Sequence, residues 1–157
     1  PPENAPPPQI VRASGEFPLD DSWLEYRPEF RRDAVDVVAL EYRIDRVLKL
    51  WSQSGQMPTD EVWRSLSPDP GVALVYLLSR DTPTYRVVDS DLIYPLLLRF
   101  GGYFSIAECL DNLSPGWRDH DLSPLRQMLS GLARVGVVNS GISCPQTATP
   151  DPVSMAV

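Results

Sequence analysis

Val72-Ala-Leu-Val-Tyr-Leu-Leu78, then Ser79 to Pro83, then Thr84-Tyr-Arg-Val-Val88 is the stretch that decides the fold. A continuous apolar run, a polar turn and a second run rich in β-branched and aromatic residues make a β-hairpin. The period then changes. From Asp89 or Ser90, residues Leu92, Ile93, Leu96 and Leu97 fall on one side of a helix that contains Pro95. The proline lacks a backbone donor, so it should bend the helix or push its start to about Asp91. Phe100-Gly-Gly-Tyr103 is a break. Ser105-Ile-Ala-Glu108 is a capping box and opens a second helix carrying Ile106, Ala107 and Leu110. Ser114-Pro-Gly-Trp117 is a turn. Ser123-Pro124 opens a third and longer helix with Leu125, Met128, Leu129 and Leu132 as its apolar stripe, stopped near Gly136. A hairpin followed by three short helices is an α+β, winged-helix-like arrangement.

Upstream, Val38, Leu40 and Tyr42 alternate with Ala39, Glu41 and Arg43, the period of a strand running from Ala34 to Arg43. Ile44, Val47, Leu48 and Trp51 then fall on one helical stripe that Gly55 and Pro58 end. Thr59 caps a second short helix carrying Val62, Trp63 and Leu66. Four parts result. Residues 1–22 are Pro-rich, without period, and expected to be disordered or laid against something else. Residues 23–70 are a strand–helix extension, 71–138 the winged-helix-like domain, and 139–157 a flexible tail.

Composition removes several function classes. The 157 residues include one His and two Cys, too few for a Cys/His zinc site made by this chain alone or for a disulfide scaffold. No apolar run reaches the roughly 18 residues of a membrane helix, and no signal-peptide core opens the sequence. A soluble, cytoplasmic protein with no membrane partner is expected. The net charge is −7, and Lys49 is the only lysine. Such a chain repels polyphosphate, whereas its arginines suit carboxylates.

No nucleophile–base pair, metal set or phosphate loop stands out. Asp119-His120-Asp121 is the one acid–base cluster, and on a polar loop it reads as solvated. Cys109 reads as a small buried apolar residue and Cys144 as a free thiol in the tail. Trp51 and Trp63 occupy amphipathic positions and read as core. Trp23 and Trp117-Arg118 lie in polar surroundings and are candidate anchors for a protein partner.

Val72 to Val138, with Thr84-Tyr-Arg-Val before a helix, Phe100-Gly-Gly-Tyr-Phe-Ser-Ile-Ala-Glu-Cys-Leu110 and a closing Leu-Ala-Arg-Val-Gly-Val-Val138, resembles a RiPP recognition element. That is the winged-helix-like domain that binds leader peptides of ribosomally made, modified peptides. Val37-Val-Ala-Leu-Glu-Tyr-Arg-Ile-Asp-Arg-Val-Leu-Lys-Leu-Trp51, a Pro-containing linker and a Leu-Val-Tyr strand are similar to the C-terminal part of partner proteins of multinuclear non-haem iron-dependent oxidases. Such partners occur in the methanobactin and 3-thiaglutamate pathways. The resemblance implies a non-catalytic protein that presents a ribosomal precursor peptide to an oxidase subunit. Iron sits in that subunit, and this chain carries no cofactor.

The residues support peptide binding on separate grounds. A hairpin edge offers unpaired backbone groups to which an extended peptide adds as a strand. In the slot between Thr84–Val88 and the helix from Ser123, residues Tyr85, Arg86 and Val87 would line one side and Leu125, Met128 and Leu132 the other. Met suits a site that repacks around its ligand. The competing reading of the same stripe is plain core. The alternative function is a winged-helix DNA-binding regulator. The ten residues from Leu113 to Leu122 are a long connection for a helix-turn-helix, the last helix carries only Arg126 and Arg134 as cations, and the chain lacks a basic face.

Overall fold

A computed structural model describes residues 9–144. The chain makes β1 (Glu29–Phe30), β2 (Val35–Leu40), α1 (Ile44–Ser54), α2 (Asp60–Arg64), β3 (Gly71–Ser79), β4 (Thr82–Asp89), α3 (Ile93–Leu98), α4 (Ile106–Leu113), α5 (Ser123–Arg134) and β5 (Val138–Asn139). It is a mixed α+β protein with two antiparallel sheets, a three-stranded one in the order β2-β3-β4 and a two-stranded one joining β1 to β5.

Local signals explain the element ends. Gly55 closes α1 at φ 72°, a left-handed conformation that needs no Cβ. The Thr59 side chain accepts the Val62 N–H at the start of α2, and both halves of the Ser105/Glu108 capping box form at α4. Three elements differ from expectation. The expected first strand, β2, ends at Leu40 rather than Arg43. The hairpin turn is shorter than Ser79–Pro83: Ser79 pairs with Thr82, with an irregularity between Leu77 and Ser79. Pro95 pushes the start of its helix beyond Asp91 to Ile93. There it falls in the first turn, where an N–H has no intrahelical partner to lose.

Strand alternation gives the main sheet two faces. Val72 pairs with Val88, Leu74 with Arg86 and Tyr76 with Thr84, while Val35 pairs with Tyr76. Val35, Val72, Leu74, Tyr76 and Val88 enter the core, together with Leu96 and Leu97 of α3, Ile106 and Leu110 of α4, and Leu129 and Leu132 of α5. On the opposite face Ala73 is buried, and Arg43, Asp45 and Leu48 share a groove with Tyr85 and Val87.

The leading segment is not disordered where it is described. Residues 9–22 lie against the domain as an extended strap. Val11 N–H donates to Leu77 O, Ser14 N–H to Ala133 O and Gly15 N–H to Ile142 O. Phe17 N–H donates to the Ser130 hydroxyl at 3.1 Å. Val11, Phe17 and Trp23 are buried in the same cluster as α5. Gly136 makes the approach possible: its φ is 88°, and a Cβ there would lie 2.7 Å from the carbonyl carbon and oxygen of Arg12. The expected tail also starts too early. Ser140 is fully buried and donates to Gly15 O at 2.6 Å. The expectations for residues 1–8 and 145–157 lie outside the described residues.

Candidate peptide-binding site

β4 is the outer strand of its sheet, with β3 on one side and no strand on the other among the described residues. Asp89 ends it. One oxygen of its carboxylate accepts the N–H groups of Asp91, Leu92 and Ile93 at 3.1, 2.6 and 2.9 Å. This fixes the turn into α3 and sets Leu92 and Ile93 as one wall of a groove. Leu125 and Met128 of α5 form the facing wall, Leu110 and Trp117 contribute apolar surface, and the volume is about 380 Å³. Met128 is 37% exposed, and its unbranched thioether suits a wall that adapts to a ligand.

The structure divides the expected slot residues. Leu125 and Met128 meet in this groove. Leu132 is 0% exposed and belongs to the core, one turn further along α5 on its inner face. Tyr85 and Val87 do not face α5; they share a groove with Arg43 and Leu48 of the α1 side. Arg86 does reach α5, since a Cβ built at Gly131 would stand 3.3 Å from its Nη1. Period two is the reason: Thr84, Arg86 and Val88 share one face, Tyr85 and Val87 the other.

The tryptophans exchange places. Trp23 and Trp117, expected as partner anchors, are buried at 3% and 4% exposure, whereas Trp51 and Trp63, expected in the core, are each 38% exposed. Trp23 packs edge-on to Phe17 of the strap, ring centroids 6.4 Å apart. Trp117 donates its indole N–H to Asp111 at 2.7 Å. The Arg118 guanidinium lies over the Trp117 ring, 4.3 Å from its centroid, and so shields it. Val37 and Val38 of β2, Ile44 and Leu48 of α1 and Val62 of α2 are exposed as well. A three-stranded sheet is too narrow to bury the whole stripe of α1, which leaves Val47 as its one buried residue.

Among the described residues no acid–base pair is assembled. Asp121 accepts the Ser123 N–H at 3.0 Å, which holds its carboxyl below the usual carboxylate range, and among the described residues His120 bonds to no carboxylate. Cys109 is buried, and burial pushes its thiol up, away from the reactive thiolate. Among the described residues no three His, Cys, Asp or Glu converge as a metal ion would need, and no helix is long and apolar enough to cross a membrane. Comparison with protein-family models, curated proteins and solved structures finds no match.

Proposed function

We propose that this chain is a non-catalytic partner that binds a ribosomal precursor peptide and presents it to an iron-dependent oxidase, the iron belonging to that oxidase. The observation that carries the reading is a free β4 edge whose last residue, Asp89, lines an apolar groove with the exposed Met128 on its wall. An added strand would take its register from the β4 backbone and its selectivity from the groove. The order of a hairpin followed by three helices supports the same reading, and the long Arg86 side chain of β4 reaches Gly131 of α5. The oxidase would need a second surface. The exposed aromatic and aliphatic residues of α1 and α2, with Trp51 and Trp63 as anchors, suit a protein interface, and they replace Trp23 and Trp117 in that role. The DNA-binding alternative is the weaker reading: the last third of α5, Ser130 to Ala133, is buried, and its more exposed first half carries Arg126 as its one cation.

The test is co-expression with the genomic neighbours, followed by mass spectrometry of what co-purifies. A short peptide and an iron-containing oxidase are expected. Met128→Asp, at an exposed position that tolerates charge, should lose the peptide and keep the oxidase. The double variant Trp51→Ser/Trp63→Ser should do the reverse. Normal peptide retention by folded Met128→Asp would remove the groove from the site. Recovery of a defined DNA duplex would establish the regulator instead.

A further inference from the structure

Arg86 leaves the β4 edge toward α5 and ends over a residue with no side chain. A Cβ at Gly131 would lie 3.3 Å from Arg86 Nη1 and 3.9 Å from Arg134 Nη2. Two guanidinium groups therefore converge on one bare stretch of helix. Their own carboxylates do not neutralise them. Arg86 makes no ion pair or side-chain hydrogen bond among the described residues, and the nearest acid to Arg134 is Glu16 at 3.9 Å, with both side chains more than half exposed. Such an exposed, distant pair holds little. The chain carries 21 Asp and Glu, yet none is placed between these two cations. Like charges brought together, with planar donors turned to one spot, suit a carboxylate.

We infer that Arg86 and Arg134, facing one another across Gly131, read an acidic side chain of the peptide strand that adds to β4. This rests on the strand-addition reading and deepens it. A strand one sheet spacing from β4, about 4.8 Å away, sets every second side chain on the α5 face. The one opposite Arg86 meets the guanidinium pair as a cross-strand neighbour. The next on that face, two residues along, lies opposite Val88 and at the mouth of the groove walled by Leu92, Ile93 and Met128. The recognised pattern is therefore an acidic residue and an apolar residue separated by one position. Nucleic acid is a poor candidate for the same cations, because the surrounding chain is net −7.

The test is selection of a random 12-residue peptide library on the full chain, followed by affinity measurement for single peptides. Enrichment of Asp or Glu at one position, with an aliphatic or aromatic residue two away, is expected. Changing that Glu to Gln should weaken binding about tenfold or more, the worth of a charge-assisted hydrogen bond. In Arg86→Gln the Glu-over-Gln preference should shrink, and in Arg86→Gln/Arg134→Gln the two peptides should bind alike, so that the double-mutant cycle shows coupling. Gly131→Ala is a second, helix-favouring variant; its Cβ displaces the Arg86 tip and should erase the same preference. Enriched peptides that protect β4 amides from hydrogen exchange yet show no acidic position would overturn the carboxylate site and leave strand addition standing. A library from which nothing is enriched would overturn both.

Discussion

Phe17→Ala should unfold the strap and cost the whole domain stability. Phe17 is 3% exposed. Its ring meets Trp23 and Tyr26 edge-on, with centroids 6.4 and 6.1 Å away. Truncating a buried Phe removes its transfer free energy and leaves a cavity, about 3–5 kcal/mol in a rigid core. The aromatic pairs add about 0.5–1.5 kcal/mol each beyond area. The strap is peripheral and partly collapses into the space, so the lower end applies, about 3 kcal/mol. For a domain of this size that lowers the melting temperature by roughly 6–12 °C. Urea unfolding followed by tryptophan fluorescence and by circular dichroism measures it, since the buried Trp23 and Trp117 report packing beside the strap and α4, and dichroism the helices. Leu19→Ala is the control: Leu19 is 84% exposed, and the change should stay within about 0.5 kcal/mol. A Phe17→Ala loss below about 1 kcal/mol, no larger than an ordinary surface change, would refute the packed strap. So would a fluorescence transition that separates from the dichroism.

Gly136→Ala should cost about 2–3 kcal/mol by chemical denaturation, because a left-handed φ is strained for alanine and the new Cβ meets the Arg12 backbone. Asp45→Asn tests the fork in which Arg43 donates two hydrogen bonds to Asp45, both at 2.8 Å. The Arg43 hydrogen bonds hold the Asp45 carboxyl below its ordinary range. Its contribution is therefore full above the unfolded-state value near pH 4 and is lost as pH falls through the lower folded value. The variant should be about 1 kcal/mol less stable at pH 7, and the difference should narrow as pH falls below about 4, read from urea midpoints across pH.

Elements written in adjacent residues were legible. The Ser105/Glu108 box, the Thr59 cap and the Gly55 stop each act within one turn, so three or four letters suffice. β4 as a free edge followed from the hairpin and the helices after it. Its two faces were also readable, since Thr84, Arg86 and Val88 alternate with Tyr85 and Val87, yet the expected slot drew lining residues from both. Tryptophan burial was not legible. Amphipathic spacing marks Trp51 and Trp63 as one stripe, but whether anything covers a stripe depends on the width of the sheet beneath it. The strap gave no periodic signal because an extended segment docks through backbone hydrogen bonds and two isolated anchors, Val11 and Phe17. The two-residue strands β1 and β5 are too short for any pattern and exist because they pair with each other.

The strap also sets an order of events during synthesis. Its residues are made before their hydrogen-bond partners on α5 and beyond, which lie 113 residues (Phe17 to Ser130) to 127 residues (Gly15 to Ile142) later in the chain. At ordinary elongation rates that interval is on the order of ten seconds. Throughout it Phe17 waits without Ser130 of α5, while Val11 can already meet Leu77 of β3 and the β3–β4 hairpin and the short helices close over local contacts. The last contact to form is the one that ties the two ends of the described chain together. The nascent domain therefore passes through a stage in which α5 has no lid, and during that stage the apolar strap is open to chaperones, proteases and other chains.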